Sequence, residues 1–188
     1  DPTCRNCPLG QIPWTDQNTY ALIITDTAGI LVRTPKSIAA DNRAVRHVNA
    51  RIDANGRLLA EMSFEYTGQR ASNLRESFSH LTGEELADFV ESILEGESAT
   101  FTVKSYSIEN LSDIYKPFRI NISAQSINSI KKVGQVFYID PCLVEPTIGV
   151  TSSEYERVRP IKFSYPRMNI DSVRLVFDSG LTIDSIVL

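Results

Sequence analysis

Histidine, cysteine and tryptophan are scarce in this chain, and the scarcity narrows the chemistry it can carry. Its 188 residues include only two histidines (His47, His80), three cysteines (Cys4, Cys7, Cys142) and one tryptophan, Trp14. An odd cysteine count does not suggest a disulfide framework. There is no basic stripe with interleaved aromatics, and the formal net charge is −4, so nucleic acid is disfavoured as a partner. The longest apolar runs, such as Ala21-Leu22-Ile23-Ile24, are strand-sized and fall far short of the ~20 residues of a membrane-spanning helix. No P-loop, dinucleotide-binding glycine pattern, GxSxG elbow or HExxH is present, and no cofactor is implied. The chain has no initiator Met and no signal peptide, so a polypeptide starting at Asp1 is expected to be processed or cut from a longer one.

What is present is an ordinary globular balance, 22% charged and 42% hydrophobic residues, in a chain long enough to bury a core without staples. Residues 1–18 are rich in Pro, Gly and Asn and read as an irregular connector. Thr19 to Thr25 and Ile30 to Arg33 flank Asp26-Thr27-Ala28-Gly29 as a short hairpin, which Pro35 ends. Ala44 to Asp53 and Arg57 to Tyr66 flank Ala54-Asn55-Gly56, whose Asn-Gly tolerates the positive φ of a tight turn. Along the second of these strands Leu58, Ala60, Met62, Phe64 and Tyr66 share one face, while Arg57, Glu61, Ser63 and Glu65 share the other with Leu59 as the exception. That alternation predicts a strand buried on one side.

Two helices are expected next, over about 68–78 and 83–95. The first carries an apolar stripe of Ala71, Leu74 and Phe78. In the second, Thr82 and Glu85 form a capping-box pattern, Leu81 and Leu86 a hydrophobic staple, and Leu86, Phe89, Val90, Ile93 and Leu94 an apolar face that should dock on the sheet. Strand-like stretches follow at Thr100 to Ile108, Phe118 to Gln125, Gln135 to Ile139, Ile161 to Tyr165, Val173 to Phe177 and Leu181 to Leu188. The sum predicts a mainly β fold: β-sandwich-like antiparallel sheets with two inserted helices packed on the sheet.

Cys4-Arg5-Asn6-Cys7 is the only CxxC. A redox motif would need a strand before it and a helix after, but Pro8, Gly10 and Pro13 follow. A zinc site would need four ligands, for which Cys4, Cys7 and Cys142 with His47 or His80 are the candidates. The plainer reading is a tight loop with free thiols, or one disulfide in an oxidising compartment. His47 reads as a surface or sheet-edge residue and His80 as part of the inter-helix turn. Glu84, Glu85, Asp88 and Glu91 fit the dipole and solvent face of the second helix better than a metal or acid–base site. Tyr20, Tyr106, Tyr115 and Tyr155 are candidates for an aromatic binding platform, with packing at sheet edges the plainer reading.

Two sets of residues carry a family resemblance. Asp1-Pro2-Thr3, followed by Cys7-Pro8-Leu9-Gly10 and Ile12-Pro13-Trp14, resembles the exit of a transglutaminase-like catalytic core, where the last member of a Cys-His-Asp triad heads an Asp-Pro-Thr turn. Asn55-Gly56, Tyr66-Thr67-Gly68 with Ala71 and Arg75, Arg159 to Pro166 and Asp178-Ser179-Gly180-Leu181 resemble the β-rich domain of unknown function that follows this core in bacterial multidomain proteins. The resemblance implies that Asp1 is an orphan triad residue, with no Cys or His of the triad in this chain and hence no catalysis of its own. It implies a connector over 1–35, an accessory domain over 36–188, and a periplasmic or secreted location. The expected work is bracing the upstream core or binding a protein or glycan partner, with residues 1–14 packed against that core. An independent carbohydrate- or peptide-binding module is the alternative.

Overall fold

A computed structural model describes residues 4–94, 101–126, 130–140, 143 and 163–185. After a single 3-10 turn at Trp14–Asp16, the described chain forms β1 (Tyr20–Ile24), β2 (Gly29–Arg33), a second 3-10 turn (Ala39–Asp41), β3 (Arg43–Ile52) and β4 (Leu58–Tyr66). Helices α1 (Gly68–Ser79) and α2 (Gly83–Leu94) follow, then β5 (Thr102–Glu109), β6 (Phe118–Ser126), β7 (Ile130–Val133), β8 (Val136–Ile139) and β9 (Met168–Phe177). The fold is mainly β, with both helices packed on a five-stranded sheet of order β5-β6-β4-β3-β9. Strands β1–β2 and β7–β8 each form a separate two-stranded sheet.

The alternation read from the sequence places the core. Leu58, Ala60, Met62, Phe64 and Tyr66 of β4 are buried, and across the ladder they face Ile52, Ala50, Val48, Arg46 and Ala44 of β3. On the other side of β4, Phe118, Ile120, Ile122 and Ala124 of β6 continue the buried face. The helices cover it: Ala71 and Phe78 from α1, Val90 and Leu94 from α2. The Phe78 ring meets Phe89 edge-on at 4.9 Å and lies 5.2 Å from Phe118, so the two helix stripes and the sheet share one aromatic cluster.

The Tyr66-Thr67-Gly68 corner joins sheet to helix. Gly68 has φ +61°, and a Cβ there would lie 2.4 Å from both Asn42 Oδ1 and the Asp41 carbonyl, so only glycine fits. The Thr67 side chain does not cap α1. Buried Asn42 does so from outside the helix, its Oδ1 accepting the Gln69 N–H at 2.9 Å while its Nδ2 donates to Pro166 O and Ser37 Oγ. Buried Arg75 donates to the carbonyls of Asn110, Asp113 and Lys116, shaping the 110–117 loop, and burial lowers its pKa. In this chain Gly68, Ala71 and Arg75 are structural residues.

Three features differ from the sequence expectation. Strand β9 pairs with β3 in parallel, which short alternating strands do not encode, because a parallel partner arrives from far along the chain. Strand β7, Ile130–Val133, carries no strand signal in the sequence, because Lys131 and Lys132 mask its alternation. Residues 163–167 and 181–185 form no strand, and the remainder of the Ile161 to Tyr165 and Leu181 to Leu188 stretches lies outside the described residues.

Candidate functional site

The connector is not free. It lies along α1 and is held by polar side chains of the helix. Ser72 Oγ donates to the Asn6 carbonyl and accepts from Gln11 Nε2, both at 2.9 Å. Gln69 donates through Nε2 to the Ile12 carbonyl at 2.9 Å and accepts the Trp14 N–H at 3.2 Å. Asn6 Nδ2 donates to Glu76 at 2.6 Å. Positions 69, 72 and 76 fall on one stripe of a helix, and Gln69 and Ser72 are buried. The His80 hydrogen bond, helped by the charges of His80 and Arg5 and by Asn6, holds the exposed Glu76 carboxyl below its ordinary pKa.

Cys4 and Cys7 form a disulfide within this connector. Of the readings open from sequence, the single bridge is the one observed, and neither sulfur is left as a thiolate ligand. Cys142 lies outside the described residues, and among the described residues no group of three His, Cys, Asp or Glu side chains is placed to hold a metal. Asp1, the suspected orphan triad residue, also lies outside the described residues.

Beyond the connector stands the β1–β2 hairpin. Its base is pinned: Asn18 N–H donates to Thr34 O, Thr34 N–H to Thr19 O, and Gln17 bridges Ile12 O to the Ser37 N–H and hydroxyl. Its blade is apolar on both sides. Leu22 faces Leu31 on one side, with Ile24; Ile23 faces Ile30 on the other, with Ala21 and Val32. Leu22 is 61% exposed, Leu31 66% and Ile24 82%. A strand pair apolar on both faces has the composition of an interior strand covered on both sides. A lone hairpin is marginal in water, and a contiguous exposed apolar surface marks an interaction site.

The open face of the five-stranded sheet is different in kind. Arg119 pairs with Glu65 at 2.7 Å and reaches Glu109 at 3.8 Å; Asn121 donates to Glu109 at 2.8 Å, and Ser123 to Glu61 at 2.7 Å. These groups satisfy one another across strands, as a solvated sheet face does. His47 sits on this face, exposed and on an inner strand. His80 ends α1, and Glu84, Glu85, Asp88 and Glu91 lie on α2. Tyr20 is on β1, Tyr106 packs against the core from β5, and Tyr115 is in the 110–117 loop, so these three do not build one platform; Tyr155 lies outside the described residues. A depression of about 420 Å³ lies between α2 and β5, lined by Ala87, Glu91, Val103, Lys104, Ser105 and Tyr106.

The sequence reading missed the α1 side of the connector. Its only trace was the polar stripe Gln69, Ser72, Glu76 opposite the apolar one. Such a stripe normally faces water; here a chain segment covers it. Comparison with protein-family models, curated proteins and solved structures finds no match to this chain.

Proposed function

We propose that this chain is a non-catalytic accessory domain of a transglutaminase-like bacterial protein, periplasmic or secreted, and that the β1–β2 hairpin is the joint by which it braces the upstream catalytic core. The observation that carries this reading is the hairpin: apolar on both faces, exposed on both, and pinned at its base by Gln17 and Thr34. Such an element fits a partner that offers a sheet edge and apolar cover at once. The resemblance of Asp1-Pro2-Thr3 to the exit of a transglutaminase-like core supplies the identity of that partner. With the Cys and His of the triad placed upstream, Asp1 would serve the core's active site and this domain would do no chemistry. A disulfide in the connector supports an oxidising compartment.

The test compares amide hydrogen exchange of residues 20–33 in this chain with the same residues in the longer protein that carries the core. Docking predicts slowing by roughly a hundredfold or more, as residues of an exposed hairpin join a cooperative unit. Unchanged exchange would overturn the reading.

A further inference from the structure

The Cys4–Cys7 bridge lies on the same stretch of chain as the contacts that fasten the connector to α1. It closes a ring of four residues whose third member, Asn6, makes two of those contacts: its carbonyl accepts from Ser72 and its side chain donates to Glu76. The sulfur itself is wired into the latch. Gln11 Nε2 donates to Ser72 Oγ at 2.9 Å and lies 3.6 Å from Cys7 Sγ. Both cysteines are partly exposed, so a reductant can reach the bridge, and the exposed Arg5 guanidinium lies between them in sequence. The bridge spans three residues and restrains the local turn that carries Asn6.

We propose that Cys4–Cys7 is a thiol–disulfide exchange site for a dithiol reductant, and that its reduction releases the connector from α1. A thiolate of the reductant attacks Cys4 Sγ, forming a mixed disulfide as the Cys4–Cys7 bond breaks. The electron pair leaves on Cys7 Sγ, where the Gln11 amide N–H stabilises the thiolate until it takes a proton from water. The reductant's second thiolate then attacks its own sulfur in the mixed disulfide, and Cys4 leaves as a thiolate and is protonated. The reductant ends as a disulfide and the protein as a dithiol, two electrons and two protons richer. A more stable leaving thiolate departs faster, which assigns Gln11 a positioning role in the exchange in addition to its contact with Ser72. Opening the ring returns conformational freedom to residues 4–7, enough to raise connector opening roughly tenfold or more.

The experiment uses the 188-residue chain carrying Cys142→Ser, so that Cys4 and Cys7 are its only thiols. Dithiothreitol is the dithiol probe, thiol alkylation and intact mass report the state of the pair, and hydrogen exchange reports the Gln11 and Trp14 amides. Expected are two alkylations after reduction, exchange at Gln11 and Trp14 faster by about tenfold, and unchanged exchange in β3 and β4 as an internal control of folding. Adding Cys4→Ser and Cys7→Ser should give the fast exchange at once, with no further response to dithiothreitol. Gln11→Ala should slow reduction severalfold at fixed dithiothreitol, a rate that a merely structural role for Gln11 would leave alone or increase. Equal connector exchange in the oxidised and reduced chains would overturn the proposal. So would a pair that stays unbridged after oxidation.

Discussion

Two hairpins in this chain share one backbone plan and differ in what their side chains meet. Strands β1 and β2 pair over five positions in register, and β3 and β4 over nine, both antiparallel around a short turn with glycine at its end. In β3–β4 the buried apolar residues fall on one face, which β6 extends and α1 and α2 cover, with exposed Leu59 the exception on the other; that other face carries Glu61 and Glu65 into a polar network. In β1–β2 both faces are apolar and each keeps large side chains exposed, Leu22 and Leu31 on one, Ile23 and Ile30 on the other, with Ala21 and Val32 half-buried. Alternation tells a strand which side is inside, and unbroken apolarity says that both are. The difference teaches that β3–β4 is complete within this domain, whereas β1–β2 has the side chains of a structure larger than itself.

The comparison breaks most visibly at Phe64, 1% exposed in the middle of β4. Phe64→Ala should cost about 3–5 kcal/mol of unfolding free energy, the transfer term plus a cavity under α1. Urea unfolding measures it. A loss below about 1 kcal/mol, the typical effect of an ordinary substitution, would mean that the β4 face is not the core and that the two hairpins differ less than the side-chain pattern says.

A smaller effect sharpens the same contrast through pH. Burial, opposed by the charges of Arg70 and Arg46 and a hydrogen bond from Arg70, raises the Tyr66 phenol above its ordinary pKa of 10.0. Once the pH passes that ordinary value, the unfolded chain loses this proton while the folded chain keeps it. The folded state then binds more protons, so its stability falls as pH rises from the unfolded pKa to the folded one, and the contribution is fully present below that window. Tyr66→Phe removes the titrating hydroxyl and keeps the buried ring, so it should flatten the alkaline decline. Unfolding titrations at about pH 8 and about pH 11 bracket the window. Equal alkaline losses in the two proteins would refute the desolvation argument.

Much of the fold was legible because burial in this sheet is one-sided. The period-2 pattern of β4 and β6 and the 3.6-residue stripes of α1 and α2 each point to a single interior, and strands and helices form where those patterns run. Pairing order was not legible. The β3–β9 ladder joins Arg43 to Met168 and Ile52 to Phe177 across more than a hundred residues, and nothing local in either strand names the other. The site was legible only in part. The apolar hairpin was visible as strands, but its exposure depends on what the rest of the domain leaves uncovered. The connector's attachment was hidden because Gln69, Ser72 and Asn42 are polar, and polar residues by default face water. They are buried here because each hydrogen-bonds a backbone group that would otherwise go unsatisfied.

The smallest expected effect is the most discriminating. Replacing Leu22 and Leu31 together by Ser removes the apolar pair at the centre of the β1–β2 blade. In this chain both side chains are already mostly in water, so little apolar area returns to solvent on unfolding. The double change should move stability by no more than about 0.5 kcal/mol, as surface substitutions do. The same two changes in the longer protein carrying the core would strip a buried contact and cost several times more, by the proposed docking. Unfolding of both proteins by urea, wild type and variant, gives the four values needed, and the comparison turns on their difference of differences. A coupling near zero would place the hairpin in solvent in the longer protein too, and its double-faced apolarity would then need a different partner.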